Sequence, residues 1–144
     1  MGKPILFYGA HGLYSEFSNF YQAQIRLGGK WYPTVEHYFQ ASKAITKQEH
    51  EKVRTAGTAG QAKHLGRHVK LRPDWEKVKL SIMRKALLAK FSQHEDLKQL
   101  LLSTGTQVIH EVSPTDAVWG YMGGGGQDLL GKCLMKVRTI IRER

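Results

Sequence analysis

The chain has 144 residues, 41% hydrophobic and 24% charged, the composition of one globular domain with one core and no room for a second catalytic domain. Its longest apolar runs, such as residues 100–102 (LLL), fall far short of the roughly 20 residues that span a bilayer, so no membrane partner is expected. Lys and Arg outnumber Asp and Glu by 22 to 12, a formal net charge of +10; this favours nucleic acid or phosphorylated small molecules as partners, with solvated helix faces as the competing explanation.

The N-terminal MGKPILFYGAHG has neither a secretory apolar region nor a myristoylation pattern, and a soluble, cytoplasmic protein is expected. Residues 4–8 (PILFY) form an apolar strand-like run. Residues 24–27 and 30–32 flank Gly28-Gly29, the two-residue loop of a tight hairpin.

The period then becomes helical. Thr34 is the expected N-cap of a first helix in which Val35, Tyr38, Phe39, Ser42 and Ile45 make a buried stripe. Glu36, Gln40, Lys43 and Lys47 share another face. A second helical region, about residues 48–69, is interrupted by Gly57 and Gly60; Lys63 and Arg67 lie one turn apart in it. Pro73-Asp74-Trp75 opens the longest helix, running toward Phe91.

Residues 95–102 predict a short amphipathic helix, and residues 106–112 (TQVIHEV) alternate like a strand. A turn-rich loop over residues 113–127 follows, and a last helix starts at Leu129 with Asp128 as its expected N-cap. The sum is an α+β domain spanning residues 1–144, mostly helical, with a few short N-terminal and central strands.

The most conspicuous motif is GGGGQDLLGKC, residues 123–133, one residue short of a phosphate-binding P-loop. Three observations exclude that reading. The preceding segment is polar and turn-rich rather than a buried strand, the helical stripe already contains Gly131 and Lys132, and Cys133 is a poor magnesium ligand where a hydroxyl is needed. A glycine-rich loop entering a helix can still offer amide N–H groups to an anion.

Cys133, the single cysteine, excludes an intramolecular disulfide and a Cys-based zinc site and fits a reducing compartment. His64 and His68 are the one pair with chelating spacing, but no third ligand lies nearby in sequence, so no metal is expected. No Gly-x-Ser-x-Gly elbow is present.

What remains are polar residues beside aromatic ones: Asn19 with Phe20, Glu36 with His37, Lys63 with Arg67, and Asp116 with Trp119-Gly120. Carboxylates and a lysine suit acid/base or imine chemistry, and aromatic rings offer faces on which bases stack. Each also has an ordinary alternative: a helix first turn for Glu36, solvation for Lys63 and Arg67, a turn cap for Asp116, core packing for Trp119.

These stretches resemble the NADAR family, whose name refers to NAD and ADP-ribose. The matches include FSNFY (17–21), YPTVEHYFQASK (32–43), AKHLGR (62–67), LRPDWEKVK (71–79), HEVSPTDAVWG (110–120) and LLGKCLMKVR (129–138), in the family's order over nearly the whole chain. The resemblance implies an N-glycosidase that separates a base from a phosphorylated ribose, without a cofactor. It implies ADP-ribosylated guanine in nucleic acid as substrate, the +10 charge favouring this, or alternatively phosphoribosylamino-pyrimidine intermediates of riboflavin synthesis. A non-catalytic ADP-ribose binder is the third alternative.

Residue by residue, the resemblance points to Lys63 as nucleophile, Glu36 as acid/base partner and Asp116 as a second carboxylate. Asn19, Phe20, His37, Arg67, Arg72, Trp119 and Gly120 are the expected substrate-binding residues, with the loop at residues 123–127 as a further phosphate contact. One departure stands out: the family commonly carries Gly-Lys-Asn-x-Leu-Gly where this chain has Gly126-Gln127-Asp128-Leu129-Leu130-Gly131.

Overall fold

The computed structural model describes residues 2–144. Six helices, α1 (Val35–Ala41), α2 (Lys47–Arg54), α3 (Ala59–Gly66), α4 (Trp75–Gln93), α5 (Glu95–Ser103) and α6 (Leu129–Arg142), combine with four short strands, β1 (Ile5–Phe7), β2 (Ile25–Leu27), β3 (Lys30–Tyr32) and β4 (Ile109–Glu111). The fold is mixed α+β and mostly helical, as the sequence predicts.

β2 and β3 pair antiparallel, with Ile25 opposite Tyr32 and Leu27 opposite Lys30. That register leaves Gly28 and Gly29 alone at the tip, and both take positive φ, 59° and 78°, the geometry that favours glycine in a two-residue hairpin loop. β1 and β4 pair parallel, Ile5 beside Ile109 and Phe7 beside Glu111. This pairing carries the end of β4, and the loop after it, to the same side of the molecule as the start of α1.

The first three helices start alike. Thr34, Thr46 and Thr58 sit in extended backbone, and each hydroxyl accepts the amide of the residue three further on: His37, Glu49 and Gln61. Each such cap contributes on the order of 1 kcal/mol. The cap at Thr46 also explains why α1 is shorter than its apolar spacing predicts. The chain must leave helical geometry before Thr46; it does so after Ala41, bridges Leu71 through Ala44, and leaves Ile45 half exposed instead of buried.

One core holds these elements together. α4 is its axis: Met83, Ala86, Leu87 and Phe91 are buried against Leu134 and Val137 of α6, Val35 and Phe39 of α1, Ile25 of β2, and Phe17. Cys133 is buried in this core, in keeping with a packing role.

The glycine run is not a P-loop. Gly131 and Lys132 lie inside α6, and Lys132 Nζ donates to the carbonyl of Gln127. Nor is the loop an anion cradle: the amides of Gly124, Gly125, Gly126, Gln127 and Asp128 donate to carbonyls of Tyr121, Met122, Tyr121, Ala117 and Gly120.

Asp128 corrects another expectation. It stands in the N-cap position of α6, but at φ 57° its side chain makes no cap bond. Its Oδ2 instead accepts from Nδ1 of His110 at 2.6 Å, and the His110 ring stacks on Tyr121 at 3.7 Å between centroids. The loop is thereby locked to β4.

Gly131 has a packing reason to be glycine. A Cβ there would fall 2.1 Å from the Ile109 carbonyl oxygen, where α6 crosses β4. Gly131→Ala is expected to destabilise the fold by about 1–3 kcal/mol, measured as a lower urea midpoint. Lys132→Ala, at an exposed neighbour, should stay within about 0.5 kcal/mol.

Candidate active site

Glu36 enters its position by a simple chain of causes. The Thr34 cap starts α1, the Glu36 amide donates to the carbonyl of Asn19 at 3.1 Å, and the second helical residue is turned inward under the 17–20 loop. Its carboxylate is 7% exposed, and Gln40, one turn on, donates Nε2 to Oε2 at 2.7 Å. Burial is the largest influence and pushes the Glu36 carboxyl above its ordinary range, against the opposing hydrogen bond from Gln40 and the charges of Lys63 and Lys43.

Glu36 opens into a cavity of about 220 Å³. Of the residues expected from the sequence, Asn19, Phe20, Glu36, Lys63, Arg67, Asp116 and Trp119 line it together. They come from the 17–20 loop, α1, α3 and the loop after β4, segments nearly a hundred residues apart in the chain. Lys63 Nζ lies 5.9 Å from the centre of the Phe20 ring. Trp119 packs edge-on against Phe39 at 5.2 Å.

Asp116 combines a structural and an available oxygen. Oδ1 accepts the amides of Val118 and Trp119, closing the turn that presents Trp119, while the residue still lines the cavity. Its expected role as a turn cap and its place in the site are therefore compatible.

Three expected residues lie elsewhere. His37 is 1% exposed with both ring nitrogens engaged, Nδ1 with Thr34 Oγ1 and Nε2 with the Ala56 carbonyl, so it bolts α1 to the end of α2 rather than facing ligand. Arg72 forms a bidentate pair with Asp74 and lines a different groove. Gly120 serves packing, since a Cβ there would meet the Asp116 carbonyl oxygen at 2.4 Å. The loop at residues 123–127 does not line the cavity either.

The structure adds residues that sequence reasoning missed. Glu111, at the end of β4, is a third carboxylate in the wall; burial, then the charges of Asp116 and Glu36, push it up to about 7. Lys43 lines the cavity with its ammonium 5.6 Å and 5.7 Å from the rings of Phe39 and Trp75; burial lowers its pKa, opposed by Glu36. Gln40 Oε1 and Asn19 Oδ1 are buried without a hydrogen-bond partner among the described residues, and Gln40 Oε1 packs against Gly66 of α3. The three-and-four spacing of Glu36, Gln40 and Lys43 was the available signal, although Lys43 lies just past the end of α1; Glu111 had none beyond its place at a strand end.

Lys90 supports the site from behind. It is fully buried, donates Nζ to the Ser18 carbonyl at 2.9 Å and lies near the rings of Tyr21 and Phe91. Burial brings its pKa down to about 7, with Glu16 pulling the other way. It ties the 17–20 loop, one wall of the cavity, to α4.

Among the described residues no group of three or more His, Cys, Asp or Glu is arranged to hold a metal ion. His64 and His68 are exposed, and the His68 ring bonds the His64 carbonyl. No helix of the described chain is long and apolar enough to cross a membrane.

The NADAR domain model matches residues 6–142, and the chain belongs to that family. It is 43% identical over 137 residues to N-glycosidase YbiA of Escherichia coli, covering 93% of this chain and 86% of that protein. It is 41% identical to N-glycosidase Npun_R5314 of Nostoc punctiforme over 144 residues, covering 96% and 92% of the two chains. A riboflavin biosynthesis protein of Vibrio vulnificus, VVA0006, is 38% identical over 146 residues, 99% of this chain but 40% of that protein. The NMR structure of E. coli YbiA superposes with a TM-score of 0.88 at 37% identity, over 99% of this chain and 88% of that one.

Glu111 binds its proton more tightly in the folded chain than its ordinary value of 4.5 allows in the unfolded one. The stability this contributes is full below that ordinary value and is lost as pH rises through about 7. The Glu111-dependent part of the urea midpoint, wild type minus Glu111→Gln, should therefore fall between about pH 5 and pH 8.

Proposed function

We propose that the chain is a hydrolase of N-glycosyl bonds, cleaving the bond between C1 of a phosphorylated ribose and a base, with ADP-ribose carried on guanine in nucleic acid as its substrate. One observation carries the reading: two lysines, three carboxylates and three aromatic rings converge on a single cavity. The family supports the reaction class, since the E. coli and Nostoc relatives are named N-glycosidases. The net charge of +10 supports the nucleic acid.

The groups divide as follows. Glu111, close to half protonated near neutrality, takes the Lys63 ammonium proton in its ionised form, and Lys63 Nζ attacks C1; the C1–N bond breaks and its electron pair leaves with the base. Glu111 gives the departing nitrogen that proton and then takes one from the new C1–N bond's ammonium. The lysine lone pair next forms the imine as the C1–O bond of the ring opens, and Glu36, whose protonated form burial favours, gives a proton to that oxygen. Water adds to the imine carbon, returning a proton to Glu36, and collapse releases the sugar aldehyde and Lys63.

Phe20 and Trp119 supply flat faces for the base, and Asp116 Oδ2 accepts from a ribose hydroxyl. Arg67 and Lys43, at the same cavity, bind phosphate.

A second reading has its own support: release of the base from a phosphoribosylamino-pyrimidine. The Vibrio relative is named a riboflavin biosynthesis protein, and a cavity of about 220 Å³ suits a compact ligand. Incubation with an ADP-ribosylated guanine oligonucleotide and, separately, with the pyrimidine intermediate decides between them. Base release from the small metabolite alone would overturn the nucleic-acid reading.

Borohydride should trap the imine as a mass increase on Lys63, and Lys63→Ala should give no adduct; an adduct surviving in that variant removes Lys63 from the nucleophile's role. Glu36→Gln is expected to lower kcat by about 10²–10⁴-fold, the range of a lost general acid, in single-turnover assays.

A further inference from the structure

Helix α1 and the turn after it, residues 42 and 43, present two working faces. Glu36, Gln40 and Lys43 face the cavity, whereas Tyr38 and Ser42 line a second, open groove of about 620 Å³. The groove's charged lining is Lys30, Lys47, Arg72 and Lys85, with no Asp or Glu among its described lining residues. Lys30 and Arg72 are held by Glu51 and Asp74, which lie outside the lining. Lys47 and Lys85 are exposed and make no ion pair among the described residues.

The arrangement of these cations distinguishes ligands. They come from β3, the first turn of α2, the turn before α4 and the middle of α4. A single phosphate is gripped by donors converging on one point. A row of cations spread over several elements matches instead the repeated phosphates of a polynucleotide. Tyr38, packed edge-on to Tyr32 at 4.9 Å, adds an aromatic ring of the kind on which unpaired bases stack.

The groove and the cavity are joined through the backbone. The Arg72 amide donates to the Lys43 carbonyl at 2.9 Å, tying a groove residue to a cavity residue. Lys43 shares the cavity wall with Lys63 and Arg67, and with the carboxylates Glu36, Glu111 and Asp116. The cavity, a third of the groove's size, holds the scissile bond and leaves a longer ligand to lie outside it.

We propose that the groove seats the sugar-phosphate backbone of a single-stranded nucleic acid, one nucleotide of which reaches the cavity past Lys43. This rests on the nucleic-acid reading of the activity, but binding in the groove is measurable without turnover.

The experiment is fluorescence anisotropy with an unmodified single-stranded oligonucleotide of about twelve nucleotides, titrated over a series of salt concentrations. Lys47→Gln/Lys85→Gln is compared with Lys132→Gln/Lys136→Gln, which removes the same charge from exposed positions of α6. The groove variant should bind more weakly, with a log–log salt slope shallower by about 1.4, or 0.7 for each lost phosphate contact. The α6 variant should keep the wild-type slope, and thermal melting verifies that both remain folded.

Equal losses in the two variants, or no binding by wild type, would overturn the groove. So would displacement of the oligonucleotide by inorganic pyrophosphate at equal phosphate concentration, which would mark a small-phosphate site. If the groove binds the oligonucleotide as described but no base is released from its ADP-ribosylated form, the groove stands and the activity reading fails. Base release with unchanged slopes in the groove variant gives the reverse.

Discussion

A carboxylate taken out of water must be paired, hydrogen-bonded or protonated, and the placement of Glu36 imposes that constraint on everything around it. The side chain is almost wholly buried, in the first turn of α1. Gln40 gives it a hydrogen bond and Lys63 and Lys43 give it charge, yet burial outweighs them and pushes its pKa above the ordinary range. The surrounding elements are arranged to permit this: the Thr34 cap fixes where α1 begins, and the Asn19 carbonyl holds the Glu36 amide against the 17–20 loop. Lys90 ties that loop to α4. Moving any of these would let water reach the carboxyl.

The carboxylates differ because their surroundings differ. Glu36 is enclosed, and Glu111 is partly enclosed and faces two like charges. Asp116 spends one oxygen on the backbone of its own turn. One small cavity thus holds carboxyl groups in different surroundings, with Glu36 and Glu111 both pushed above the ordinary carboxylate range by burial. The lysines differ too: Lys43 is half buried over two rings, while Lys63 reaches the cavity from an exposed helix face.

Much of the architecture was legible in the sequence where local chemistry decides it. Gly28-Gly29 between two strand-like runs gives the hairpin, threonine before a helical stripe gives the cap of α1, and the regular stripe of residues 129–141 gives α6. The failures are places where a distant partner outweighs the local pattern. Ile45 continues the spacing of α1, but the next cap at Thr46 ends the helix first. Asp128 stands before a helix like a cap, but His110 from β4 claims its carboxylate. His37 sits beside Glu36 in an aromatic-polar cluster and is nevertheless consumed by Thr34 and Ala56. Seven of the ten residues expected in the site line one cavity, whereas Glu111 and Lys43 emerge only when β4 and the end of α1 are placed in space.

The loop over residues 116–130 shows how far composition can mislead about rigidity. Four successive glycines suggest a slack tether, yet their segment is laced by its own amides to Ala117, Gly120, Tyr121 and Met122 and clipped by Asp128 to His110. Chain freedom in the unfolded state is high there, and nearly all of it is surrendered on folding. In amide-exchange terms such a loop behaves as a structured element, opening with the fold rather than ahead of it. A protease that needs an extended stretch of backbone meets a closed knot at what its composition marks as the softest point of the chain.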